Sequence, residues 1–193
     1  MGDQVRMVKG YFDTLKETMD RVDKDSVSEV IDVLMRCYDD ESSIFICGNG
    51  GSGATASHIV CDFNKGISMH HDKKFRMFSL NDNMSIITAI ANDCRYEDIF
   101  RMQVEGKVKR GDVLVAISGS GNSKNVISVA EYFKGQGNTV ISLTGYDGGA
   151  LKPLGDHSIH VPIKDMQKVE DIHMMILHLM SQIIAEKLGH PMC

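Results

Sequence analysis

The sequence contains no tryptophan, and its five cysteines (Cys37, Cys47, Cys61, Cys94 and Cys193) include no C-x-x-C pair. An odd, scattered set argues against a disulfide framework, so a reducing compartment, the cytoplasm, is the expected location. No apolar run is long enough to span a membrane. The opening Met1-Gly2-Asp3-Gln4 carries no apolar signal segment. Gly2 alone hints at myristoylation, but Arg6 stands where that motif needs Ser or Thr. Positive charge is also scarce. With 21 Lys and Arg against 26 Asp and Glu, the net charge is −5, which disfavours broad nucleic-acid binding. Neither glycine-rich loop is followed by Gly-Lys-Ser/Thr, so a Walker nucleotide site is absent.

What remains is an ordinary globular balance: 193 residues, 42% hydrophobic and 24% charged, enough for one domain with a sizeable core. Thirteen methionines suit a core filled by adaptable thioethers. Val5, Val8, Tyr11, Phe12, Leu15 and Met19 recur at helical spacing over 4–20. A second helix is expected after Ser26 as its cap, with Val27, Val30, Ile31, Leu34 and Met35 on one face. No strand precedes this pair, so it is expected to pack on a partner subunit.

From Ile44 onward, short apolar strands alternate with helices. Strands are expected at 44–47, 75–80, 113–117, 139–143 and 157–161. Helices are expected at 53–64, 83–92, 95–108, 123–135 and 167–187. The pattern predicts an α/β fold: a mostly parallel five-stranded sheet covered on both faces. Residues 1–193 read as one domain, with helices over 1–40 serving oligomerisation and an α/β core over 41–193. The stretch 66–74, with His70-His71-Asp72, reads as an exposed loop.

In such folds ligands bind beyond the carboxyl ends of the strands. Two of those ends are rich in Gly and Ser: Gly48-Asn49-Gly50-Gly51-Ser52 and Ser118-Gly119-Ser120-Gly121-Asn122-Ser123. A phosphate needs several donors at short range. Helix N-termini supply free backbone N–H groups, small residues let the backbone approach, and Ser hydroxyls add donors. Two such loops, on strands expected to lie close together, predict a phosphate site.

These motifs, together with Leu143-Thr144-Gly145-Tyr146-Asp147-Gly148-Gly149, resemble the SIS (sugar isomerase) domain and within it the phosphoheptose isomerase group. The resemblance covers nearly the whole chain. It implies a flavodoxin-like three-layer sandwich and a homotetramer with active sites at subunit interfaces. It also implies that Ser52, Ser118, Ser120 and Ser123 hold the phosphate, helped by Gly50, Gly51 and Gly119. Asn49 is expected near substrate hydroxyls, and Asp93 of Asn92-Asp93 near the substrate.

Aldose–ketose isomerisation needs a base to move a proton between adjacent carbons, and a group or metal acting on the oxygens. His58 and Asp62 lie four apart on one helix face. Glu170 and His178 lie on the last helix, about 80° apart around it and about 12 Å apart along it. By the resemblance, Asp62 is the catalytic base and His178 the acid. Glu170 joins the substrate-binding set, and His58, Asp62, Glu170 and His178 form a zinc site. Two positions depart from the family pattern: Asp62 replaces a Glu and Glu170 replaces a Gln. His173 reads as a packed or interface residue, His157 and His160 as structural residues on opposite strand faces, and Lys65 as a solvated helix-end lysine. The implied reaction converts sedoheptulose 7-phosphate to D-glycero-heptose 7-phosphate. Two alternatives stay open: an isomerase for another sugar phosphate, and a non-catalytic SIS protein that binds sugar phosphates or a replication initiator.

Overall fold

A computed structural model describes residues 2–190; Cys193 lies outside them. Two helices come first, α1 (Gly2–Asp20) and α2 (Lys24–Asp39). Asp23, rather than Ser26, caps α2. Its carboxylate accepts from the Asp25 N–H at 3.0 Å and from the Ser26 hydroxyl at 2.8 Å, so the serine expected as the cap lies inside the first turn. The strands are β1 (Ser43–Cys47), β2 (Arg76–Ser79), β3 (Val113–Ser118), β4 (Thr139–Thr144) and β5 (His157–His160). They pair in the order β2-β1-β3-β4-β5, and every pairing is parallel. This is the flavodoxin-type order, with β1 and β3 side by side at the switch point.

Five helices complete the layers: α3 (Gly51–Cys61), α4 (Met84–Asp93), α5 (Arg101–Val104), α6 (Lys124–Gly135) and α7 (Met166–Lys187). Alternation along β3 sorts the core. Val113, Val115 and Ile117 face a cluster with Val30, Leu34, Ile59, Ile172 and Ile184, from α2, α3 and α7. Leu114 and Ala116 face a second cluster with Phe100, Val126, Val129 and Phe133. Burial on both faces is what makes these strands read as unbroken apolar runs.

Three segments differ from expectation. The helix expected over 95–108 breaks into a 3₁₀ turn, Tyr96–Asp98, and the short α5. Arg95 and Arg101 both reach the buried Asp98 at 3.0 Å, and this ion-paired corner replaces continuous winding. After Cys61 the chain passes into a π-helical turn, Asp62–Ile67. There Asn64 bonds both the carbonyl (2.7 Å) and the N–H (3.2 Å) of Met77. The amide thus satisfies the outer edge of β2 as a further strand would. The expected loop at 66–74 is partly packed as well. The Ser68 hydroxyl is buried between the Phe63 carbonyl and the Phe75 N–H. The rings of His70 and His71 lie against His190.

His173 is buried, and its Nε2 lies 3.2 Å from the Thr144 carbonyl. Burial pushes its pKa down to about 4, so it is neutral in the folded chain at pH 5–7. In the unfolded chain a histidine protonates near 6.5. Between these values the unfolded state holds the extra proton, so stability present above pH 6.5 is lost as pH falls toward 4, by up to ~3 kcal/mol. Melting temperature should therefore drop from pH 7 to pH 4.5 by less in His173→Leu than in the natural chain. Equal drops would refute this account.

Candidate active site

The two Gly/Ser loops lie side by side because β1 and β3 are neighbours. The first loop turns at Gly50 (φ 54°), which caps α3. Gly48, Gly50 and Gly53 also fall at the spacing G-x-G-x-x-G. Here packing explains the outer two: a Cβ on Gly48 would strike Ser52, and one on Gly53 would meet the Asn81 amide. In the second loop the Gly121 N–H donates to the Ser118 carbonyl at 2.9 Å, and the Ser118 hydroxyl donates to Ser123 Oγ at 3.0 Å. Ser123 caps α6 without bonding its backbone; the Val126 N–H is taken by Asn125 Oδ1 at 3.0 Å, and the helix N–H groups before it are left for an anion.

Between the loops lies a pocket of about 230 Å³. Asn49, Gly50, Gly51, Ser52, Ser118, Gly119, Ser120, Ser123 and Glu170 line it, all expected from the sequence. Ile117 and Met166 line it too and were not expected. Asp93 does not: it is exposed at the end of α4, accepting from the Asn92 amide at 2.7 Å. Asn49 exchanges two 2.8 Å amide hydrogen bonds with the buried Asn125 and accepts from the Tyr96 hydroxyl at 3.0 Å. Asn125 and Tyr96 therefore hold Asn49 in place. Neither carries a sequence signal, since their role exists only once three distant segments meet.

α3 and α7 run alongside each other in the same direction. Gly51 lies against the Glu170 carboxylate, so that a Cβ there would overlap it. Further along, His58 Nε2 meets His178 Nε2 at 2.9 Å. Asp62 Oδ2 lies 3.6 Å from His58 Nε2 and 3.4 Å from His178 Nε2. A contact between two imidazole nitrogens at this distance needs one to donate and the other to accept. The Asp62 side chain is mostly buried (19% exposed), while both imidazoles keep contact with solvent.

The ligand atoms of His58, Asp62 and His178 lie within 4.8 Å of one another. Two imidazoles and one carboxylate form a donor set suited to a divalent metal, with room for a further ligand. Glu170, expected as the fourth member, is not in this group. Eight residues of helix separate it from His178, about 12 Å, and it faces the phosphate pocket instead. His157 and His160 do lie on opposite faces: His157 meets Glu29 of α2, and His160 meets the Thr144 hydroxyl.

A family model described as "SIS domain" matches residues 10–145. The phosphoheptose isomerase of Helicobacter pylori strain P12 is 34% identical over 178 residues, 92% of each chain. Among solved structures, the phosphoheptose isomerase of Neisseria gonorrhoeae superposes with a TM-score of 0.85 at 29% identity, covering 95% of this chain and 98% of that one. The Francisella tularensis phosphoheptose isomerase gives 0.86 at 26% identity with the same coverage. Matched by the family model over most of its length and by a curated relative over nearly all of it, the chain belongs to the SIS domain family and, within it, to the phosphoheptose isomerases.

Proposed function

We propose that the chain isomerises a ketose phosphate, sedoheptulose 7-phosphate, to D-glycero-heptose 7-phosphate in the cytoplasm. The observation that carries this reading is the spacing of two unlike sites along paired helices. Ser52 and Glu170 lie at the Gly/Ser pocket; His58 and His178 lie six and eight residues further on, about 9 and 12 Å along their helices. A terminal phosphate in the pocket would point the far end of an extended sugar chain at the acid–base group. Anchoring the phosphate fixes the reacting carbons without touching them.

In this reading Asp62 removes the C1 proton to give an enediol(ate) and returns it at C2. His178 moves a proton from the C1 oxygen to the C2 oxygen. Asp62 Oδ2 is the oxygen next to both imidazoles, so Oδ1 is the one that takes the carbon-bound proton. His58, Asp62 and His178 would also hold a divalent ion, zinc by the chemistry of the donors, which when bound polarises substrate oxygens. The decisive assay is turnover of a panel of sugar phosphates with and without added zinc. Heptose 7-phosphate formation, lost on chelation and regained with zinc, is expected. A chain active on no ketose phosphate would end the isomerase reading, and full activity in a metal-free preparation would end the zinc reading.

The oligomer is part of the proposal. α1 buries only Thr18 and exposes Val5, Val8 and Phe12 along one side. α4 has an apolar sequence yet buries none of its residues. An apolar cavity of about 360 Å³, lined by Val22, Val27, Ile31, Ile172, Ile176 and Ile183 among others, lies where α1, α2 and α7 meet, away from the Gly/Ser pocket. These surfaces support a homotetramer with active sites at its interfaces. In it, Asp93, outside the pocket of its own chain, would serve a neighbour's site. Removing residues 1–22 should lower the mass measured by light scattering, and an unchanged tetramer would count against the role of α1. No described helix is long and apolar enough to cross a membrane.

A further inference from the structure

The buried His173 takes no part in the chemistry above, yet its surroundings give it a task. Its Nε2 lies 3.2 Å from the carbonyl of Thr144, the last residue of β4. A carbonyl only accepts, so Nε2 carries the proton. Nδ1 is then left as an acceptor with no partner, shut away from solvent. A buried imidazole held this way costs the fold more than an apolar residue would, so packing alone does not account for it.

Thr144 is a junction. Its carbonyl also accepts from the Val161 N–H just past β5 at 2.8 Å, and its hydroxyl lies 3.2 Å from His160 Nδ1. The N–H of the next residue, Gly145, donates at 2.9 Å to the carbonyl of Gly119, inside the phosphate loop. One turn before His173, Val169 lies so close to Gly145 that a Cβ there would overlap it. Met166 likewise lies against Gly119. α7 thus meets the phosphate loop itself through packing that can slide, and the directional bond beside that packing is the one from His173 to the end of β4.

We infer that His173 is a positioning residue, whose bond to the Thr144 carbonyl fixes α7 along its axis relative to the phosphate loop. That bond would set the span between the bound phosphate and His178, carried five residues further on the same helix. The inference extends the isomerase reading and rests on it only for the turnover measurement below.

The test compares His173→Leu, which fills the space without a donor, with His173→Gln, which restores an N–H. In His173→Leu we expect a kcat at least tenfold lower, inorganic phosphate affinity within twofold of the natural chain, and an unchanged or higher melting temperature at pH 7. Hydrogen exchange at the Gly145 amide should be at least tenfold faster. His173→Gln should recover both kcat and exchange protection at least in part. A His173→Leu chain with natural kcat and natural exchange at Gly145 overturns the inference. So does a loss of kcat that tracks a lower melting temperature and is not rescued by Gln, which would mark a packing role. The exchange comparison needs no substrate. A natural chain with no sugar-phosphate turnover would sink the isomerase reading, and Gly145 exchange would still decide whether His173 ties α7 to the loop.

Discussion

Asp62→Ala is expected to lower the turnover number by roughly 10²–10⁴-fold while inorganic phosphate still binds. Asp62 is the one carboxylate in its group, with both imidazoles within 3.6 Å. Its removal takes away the base for the C1 proton and the negative charge beside the two rings. The phosphate pocket is lined by other residues, so binding and catalysis should separate. His178→Ala should fall in the same range. The double variant should cost little more than either alone, because groups acting as one unit do not contribute additively. Steady-state kinetics and a phosphate titration read both quantities. Near-natural turnover in either single variant would remove that residue from the mechanism, and lost phosphate binding would show damage beyond the acid–base group.

The second large effect is expected from one methyl group. Gly121 sits at φ +68°, and a Cβ there would collide with the Gly148 carbonyl oxygen. An ordinary residue in that conformation is strained by roughly 1–2 kcal/mol, and the collision adds to it. The site is also a knot: the Gly121 N–H bonds Ser118, and its carbonyl accepts from the Leu151 N–H at 2.9 Å. Gly121→Ala must therefore push the phosphate loop and the 145–151 turn apart. We expect a loss of about 2–4 kcal/mol in stability and at least tenfold weaker phosphate binding. Denaturant unfolding and calorimetric titration measure the two. A variant natural in both would show that the loops adjust freely.

The sheet was legible because burial on both faces leaves strands with unbroken apolar character, as in Val113–Ile117. The phosphate pocket was legible because Gly and Ser cluster at two strand ends. The winding after Cys61 was not. Its π turn depends on Asn64 reaching Met77 on another strand, and neither residue announces the other. Glu170 lines the pocket as expected, but it is not among the grouped metal ligands, for a related reason. Helix spacing gives its distance from His178, but its direction is set by α3 lying alongside. The Asn49–Asn125 pair was hidden in the same way, its members standing 76 positions apart in the chain.

The phosphate pocket is built largely from residues with little or no side chain, at Gly50, Gly51 and Gly119. Donors carried by the main chain cannot be deleted by any substitution except proline, only obstructed. A saturation scan should therefore be lopsided there, with harm rising with the volume of the replacement and nearly indifferent to its polarity. At Asp62 and His178 harm should follow chemistry instead, with small and large replacements failing alike. The two halves of the site would thus drift by different rules: the chemical half admits only side chains that keep its acid–base function, whatever their size, while the anchoring half tolerates almost nothing larger than what it already has.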